Sequence, residues 1–457
     1  MHQEEMFMKS NQNARVQDMT VGNPITLILS FSIPLLIGNI FQQIYNLVDT
    51  MVVGHTLGDQ AIAAIGATTA LYQLIISFAW ALNNGYAIVV TQRFGAHDLR
   101  AMRQAIAGMM MLNAGITALL TALALALLRP LLTFMNTPAA IFEDAYSYIA
   151  VIYAGMAATI GYNMLAGILR SMGNSRSPLY FLIISSILNI ALDILFVAGL
   201  RMGVAGAAIA TVISQAVSAL LCAAYMLSRY RAYLPSREDF RIPAKLLREL
   251  LVTGFSMALM IVVIDIGSVI YQRANNAFGE IIIASHAAGR RIISVFMQPL
   301  GSISTACSTF VGQNWGAGKK ERLRMAIRKV CLLEFGLGLG FFCILFLIGG
   351  ALVRLVTGSS DPEIIRNAVL SIRIHSALYP MLGLVFCLRT SMQSMGENRI
   401  PILASCIELS MKILAAVWMI PTFGFLGTCY TEPLTWVLMA IFLIAAYLRI
   451  GRKLLHT

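Results

Sequence analysis

The chain has 457 residues, 58% of them hydrophobic and only 12% charged, with a mean hydropathy of +0.77. That balance excludes a soluble globular domain and defines an integral membrane protein. The formal charge of +12 is confined to alternate loops, a pattern of membrane topology that excludes nucleic acid as the partner. Seven cysteines lie mostly in apolar runs with no CxxC pair, so they give no metal or disulfide signal. The first ~20 residues are polar and show no leader-peptide pattern.

Apolar runs long enough to cross the ~30 Å hydrocarbon core as helices recur along the chain. In chain order they cover 24–53, 60–92, 101–128, 142–171, 176–200, 203–229, 244–274, 281–313, 323–350, 364–394, 400–421 and 425–449. The expected fold is an all-α integral membrane protein of about twelve transmembrane helices. Pro34 in the first span and Pro299 in the eighth are the expected kink points. Arginines and lysines gather at the even-numbered turns and the C-terminus, from Arg93 and Arg103 through Arg170, Arg176 and Arg229 to Lys319 and Arg452. The bias of such loops toward the cytoplasm places both termini there and the protein in the inner (plasma) membrane. The longest polar connection, near Ser228 to Pro243, divides the chain into a tail 1–23, an N-lobe 24–229, a linker 230–243, a C-lobe 244–449 and a tail 450–457.

The lobes repeat. Val90-x-Gln92-x-x-Gly95-Ala96 returns as Val311-x-Gln313-x-x-Gly316-Ala317, 221 residues later, and Ser171-Met172-Gly173-x-x-Arg176-x-Pro178 returns as Ser394-Met395-Gly396-x-x-Arg399-x-Pro401, 223 residues later. Six spans separate the copies, an even number, so the lobes share one orientation and are related by a pseudo-two-fold axis along the membrane normal.

Two acids, Asp49 and Asp193, interrupt otherwise apolar spans. A carboxylate in hydrocarbon costs several kcal/mol, so the pair points to a cation or proton site. At ~1.5 Å of rise per residue, Asp193 lies ~25 Å beyond Arg176, and Thr211 lies ~12 Å below the outer end of its span, at a shared depth. Asn189 stands one turn before Asp193 on the same helix face and adds an amide oxygen. The repeat maps Asp49 onto Ile270, Asn189 onto Lys412 and Asp193 onto Ala416, so the acidic cluster belongs to the N-lobe alone. The bland reading is that these acids bond to neighbouring helices.

Pro34 through Gln42-x-x-Tyr45-Asn46-x-x-Asp49, the Leu169-Arg170-Ser171-Met172-Gly173-Asn174 turn, Asn189-x-x-x-Asp193, Gly203-x-x-Gly206-Ala207-Ala208-x-Ala210-Thr211 and Gly312-Gln313-x-x-Gly316-Ala317-Gly318 together resemble the MATE (multidrug and toxic compound extrusion) transporters over nearly the whole chain. The resemblance implies a V-shaped pair of six-helix lobes exporting cationic amphiphiles against an inward flow of Na⁺ or H⁺, with no cofactor beyond that coupling ion. It implies an ion site at Asp49, Asn189, Asp193 and Thr211 beside the Ala207 carbonyl, bending of the first helix at Pro34, and a substrate cavity reached by Gln42, Tyr148 and Asn163. Na⁺ at the four ion-site residues is one form of that site. The NorM-like branch also uses an acid in span ten, which is absent here between Ile372 and Ser394, so the likeness is closer to the DinF-like branch. A monomer is expected.

Asp265 is a second acid candidate, or pairs with a basic residue on another helix. Glu432 occupies the repeat position of Thr211 and either attracts a cation or bonds to the backbone freed by Pro433. Glu408 and Lys412, one turn apart, suit a structural pair. The rival transport function is a lipid or lipid-linked oligosaccharide flippase of the same superfamily. No nucleophile motif or metal-ligand spacing supports a membrane enzyme.

Overall fold

The computed structural model describes residues 17–275, 278–357 and 361–455. Most of the 1–23 tail and the end of the 450–457 tail therefore fall outside the described residues. Fifteen α-helices follow in order: α1 Pro24–Leu57, α2 Asp59–Gly95, α3 Leu99–Phe134, α4 Ala139–Ala154, α5 Met156–Ser171, α6 Arg176–Asp193, α7 Gly203–Arg229, α8 Ala244–Asn275, α9 Glu280–Gly316, α10 Lys320–Thr357, α11 Pro362–Ala377, α12 Tyr379–Ser394, α13 Arg399–Leu414, α14 Ile420–Phe423 and α15 Phe425–Leu455. Among the described residues nine helical stretches are long and apolar enough to cross a membrane, and α4 with α5 and α11 with α12 form two further spans. The twelfth is α9, 37 residues long and more polar through His286, Arg290 and Arg291. The protein is thus an all-α membrane protein of twelve spans. Pro34 and Pro299 both lie inside helices, α1 and α9.

Two spans are broken instead, one at a glycine and one just ahead of Pro380, in the first turn of α12. The α4–α5 pair bends by 44° at Gly155 and the α11–α12 pair by 51° at Leu378, repeat positions of one another. Gly155 is required by packing: a Cβ there would lie 2.3 Å from Val212 Cγ2 of α7. Spans five and eleven share another irregularity, a widened π-helical turn at Ile194–Gly199 and at Ala415–Met419. The first begins directly after Asp193, and such turns are frequent at functional positions.

Two compact units emerge, one of Ile33–Ala258 with the described start of the chain to Asp18, the other of Met19–Ser32 with Leu259 onward. In the first, the linker after α7 forms two short 3₁₀ turns, Arg231–Tyr233 and Arg237–Phe240. It is held by Arg103 Nε donating to the Ala232 carbonyl at 2.9 Å and by Asn174 Nδ2 donating to the Tyr230 hydroxyl at 2.8 Å. Small residues let helices of this unit touch: a Cβ on Gly85 of α2 would lie 2.6 Å from Gly254 Cα of α8. In the second unit the backbone of Met19 donates to Gln313 Oε1 at 2.8 Å and its carbonyl accepts from Asn314 Nδ2 at 3.1 Å. Gln313 belongs to the repeated motif and is fully buried.

Gly155→Ala should destabilise the protein by about 1–3 kcal/mol through overpacking against Val212, and Val212→Ala in the same chain should recover most of it. Thermal melting in detergent of the single and double variants checks this; equal melting of the wild type and Gly155→Ala would show that the break does not depend on the contact.

Candidate functional site

Five helices of the first unit converge on the acids. α1 supplies Tyr45 and Asp49, α2 Tyr72, α4 Tyr148, α6 Asn189 and Asp193, and α7 Ala207 and Thr211. Asp193 and Asn189 are 0% and 1% exposed, whereas Asp49 is partly buried. The two carboxyls lie within hydrogen-bonding reach of each other. With its amide oriented to satisfy its neighbours, Asn189 donates to Asp193 Oδ2 and to the Tyr45 hydroxyl, both at 3.1 Å, and accepts from the Thr211 backbone N–H at 3.2 Å. The Thr211 hydroxyl donates to the Ala207 carbonyl at 3.1 Å and is in side-chain contact with Tyr45. Asp49 Oδ1 and Asp193 Oδ1 are buried with no hydrogen-bond partner, an unusual cost for a native interior. One turn past Asp49, Val53 packs with Ala61, Val197, Val204 and Ala207 in an apolar cluster that Tyr148 also touches, closing one side of the site to water.

Asp49, Asn189, Asp193, Thr211 and Ala207 are therefore brought together. Their donor set is two carboxylates, a hydroxyl, a carbonyl and an amide, all oxygen chemistry of the kind a hard cation takes, and two unpartnered carboxylate oxygens accept a proton equally well. Among the described residues no cluster of three or more His, Cys, Asp or Glu is placed to hold a metal ion, so any ion here depends on the amide, hydroxyl and carbonyl as well as the acids.

Gln42 and Asn163 lie elsewhere in the same unit, on the wall of a cavity of about 240 Å³ that Pro34 also lines. Tyr148 does not reach that wall; it stands beside the acids. Tyr72 belongs to both places, lining the cavity and lying within electrostatic reach of Asp49. On α1 the residues Gly38 and Gln42 at the cavity continue into Tyr45 and Asp49 at the acids, spaced four, three and four apart, which is one face of one helix. On α6 Leu182 at the cavity likewise leads through Asn189 to Asp193.

The second unit treats its charges differently. Glu432 of α15 is ion-paired with Arg290 of α9, and its other oxygen lies 3.6 Å from His375 Nε2 of α11. Lys412 Nζ donates to Glu408 Oε1 at 2.9 Å and to the Ser268 hydroxyl at 2.9 Å, and Arg389 reaches Glu408 Oε2 at 3.8 Å. Asp265 sits within electrostatic reach of Lys412 and Glu408. Glu334 of α10, not singled out from the sequence, is fully buried and accepts from the Ser304 hydroxyl at 2.7 Å; its signal was a lone acid in the apolar run Leu332-Leu333-Glu334-Phe335. Tyr72 and Arg170, the second of which lines the N-lobe cavity, were also missed. A tyrosine is no anomaly in an apolar helix, and Arg170 looks like a loop charge because it ends its span.

Twelve apolar spans in two repeated halves, with a buried acid site and an adjoining cavity in one of them, are the architecture of a membrane transporter. Comparison with known proteins gives the family. The family model described as MatE matches residues 34–195 and 246–418, and the chain belongs to the MATE family of transporters. It is 26% identical over 392 residues to the probable multidrug resistance protein YpnP of Bacillus subtilis, covering 84% of this chain and 85% of that one. It is 26% identical to the probable multidrug resistance protein NorM of Thermotoga maritima, with 88% and 87% covered, and 25% identical to DNA damage-inducible protein F of Escherichia coli, with 90% and 88% covered. The NorM-like and DinF-like branches are thus matched almost equally. A crystal structure of MATE in the bent conformation superposes with a TM-score of 0.89 at 23% identity, covering 95% of this chain and 97% of that one, a likeness of fold.

If the Arg290–Glu432 pair holds α9 to α15, Arg290→Met should lower the melting temperature by leaving Glu432 without its main cation, and Arg290→Met with Glu432→Gln should melt above the single variant. A double variant no more stable than the single one would assign the loss to guanidinium packing instead.

Proposed function

We propose that the protein is a secondary antiporter of the plasma membrane, with both termini in the cytoplasm. It exports small organic amphiphiles, cations among them, coupled to an inward flow of H⁺ or Na⁺ through Asp49 and Asp193. The multidrug names of its relatives support the substrate class. The observation that carries the coupling is the continuous face of α1 that lines the cavity at Gly38 and Gln42 and bears Tyr45 and Asp49 beyond it. An ion bound between Asp49 and Asp193 removes the repulsion of two buried carboxylates and draws α1 toward α6. Because Gln42 and Asp49 lie two turns apart on one face of the same helix, that shift is carried to the cavity, narrows it and expels its occupant. Pro34 has no N–H to donate into the preceding turn, so α1 is softest at the cavity. A proton is accommodated with the Asn189 amide as it stands, whereas Na⁺ binding turns the amide oxygen inward beside Thr211 and the Ala207 carbonyl.

Asp49→Asn and Asp193→Asn should each reduce gradient-driven efflux at least ~100-fold while leaving the protein folded and monodisperse. Asp265→Asn should cost severalfold at most. The assay is uptake of a fluorescent cation into inside-out proteoliposomes with Na⁺ and pH gradients imposed separately, which also names the ion. Full transport by either Asn variant removes the coupling site, an equal loss in Asp265→Asn moves part of it to the second lobe, and substrate flux with no ion requirement favours a flippase.

A further inference from the structure

The N-lobe cavity carries a charge that the proposed coupling does not use. Arg170, in the last turn of α5, lines it, and among the described residues the guanidinium makes no ion pair and no hydrogen bond. The ionisable groups that bear on it are Tyr162 and Cys222, both neutral in ordinary conditions, and Tyr162 gives its proton to the Pro178 carbonyl at 3.3 Å. Among the described residues no other on the cavity wall is charged. Arg170 is half-buried on that wall, so its guanidinium faces whatever the cavity holds and marks a place where an anion fits.

The repeat supplies a control. The residue at the corresponding position of the other lobe, 223 further on, is Gln393, which is buried and donates to the Met260 sulfur at 3.2 Å. The turn therefore folds without a cation, and the charge at 170 is not demanded by the backbone it sits on. The cavity wall also includes Ser175 and Pro178, at the start of the 18-residue helix α6, whose N-terminal amides add positive potential at the same end. Away from that end the wall combines the aromatic and apolar side chains of Tyr72, Trp80 and Leu182 with neutral polar ones, Asn39, Gln42 and Gln215 among them.

We infer that this cavity holds amphiphiles bearing a single carboxylate, with Arg170 as the group that grips it. The charge count selects a monoanion, since one guanidinium neutralises one carboxylate and would leave a dianionic phosphate half compensated. A planar fork of N–H donors matches the carboxylate in a bidentate fashion, and the aromatic wall takes the apolar body. The inference rests on the cavity being the substrate site of the proposed antiporter.

The test is equilibrium binding to the full chain in lipid nanodiscs. The probes are an environment-sensitive aminocoumarin 3-carboxylate and its 3-carboxamide, alike in size and differing in charge. The wild type should bind the carboxylate ~10-fold or more tightly than the amide. Arg170→Gln, which installs the side chain the other lobe uses, should lower carboxylate affinity ~10-fold and erase that preference, and Arg170→Lys should retain part of it. An unchanged melting temperature in detergent reports that the variant is folded. Absent carboxylate binding, equal affinity for the two probes in the wild type, or a preference that survives Arg170→Gln overturns the inference. Trp80→Ala and Asn163→Leu separate the two levels. If they weaken both probes while Arg170→Gln changes nothing, the cavity stands as the substrate site and only the arginine's role fails; if they too change nothing, the cavity itself is not the site and both readings fail.

Discussion

Two carboxyls placed within reach of each other in an apolar helical unit, with no basic side chain beside them among the described residues, are the constraint around which the first lobe is arranged. Such groups cannot both remain ionised without a cation between them. The surroundings are built for that problem. Asn189 and Tyr45 fix the geometry of Asp193 without supplying charge, the Val53 cluster keeps water from one flank, and a π-helical turn directly after Asp193 loosens the helix where the carboxyl must adjust. A lobe designed only for stability would replace the pair with packed apolar residues or add a cation.

The second lobe does add cations. Lys412 stands at the repeat position of Asn189 and Glu432 at that of Thr211, and each finds an opposite charge, Lys412 in Glu408 and Glu432 in Arg290. One backbone plan therefore tolerates either solution at equivalent places. Charge in the second lobe is largely closed on itself and ties α9 to α15 and α12 to α13. In the first lobe it is left open, two acids at one end of the unit and Arg170 on the cavity wall. Glu334 is the exception in the second lobe, a fully buried acid held by the Ser304 hydroxyl.

Much of this was legible from local pattern. Hydropathy placed the spans to within seven residues at either end, Gly203–Arg229 to the residue, because the cost of an unbonded backbone in lipid leaves few alternatives to a full-length helix. The proximity of Asp49, Asn189, Asp193 and Thr211 was also legible, since helical rise gives depth and the one-turn spacing gives the face; what they do remains the proposal. The break at Leu378 had a local signal that was passed over, Pro380 in the first turn of α12, whereas the break at Gly155 was not legible. Gly155 is dictated by Val212 on another helix, a contact that no local window contains, while the prolines that drew attention sit inside helices. Tyr148 was assigned to the cavity and lies instead beside the acids, because a position along α4 does not reveal which of two neighbouring spaces its ring enters.

The link between acids and cavity follows from helix geometry. A residue every three or four positions keeps to one side of a helix, so a face that reaches the cavity at Gln42 must reach the level of Asp49 two turns later on the same side. The same holds for α6 from Leu182 to Asp193. At Gly38 a Cβ would lie 3.5 Å from the Leu179 side chain of α6, ordinary van der Waals contact. About three turns further along α1 the Asp49 and Asp193 carboxyls are within hydrogen-bonding reach of each other, so α1 and α6 meet at both levels. The proposed coupling uses that shared face: an ion drawn between the acids would act on the same two helices that border the cavity, with Pro34 as the weakest turn of α1.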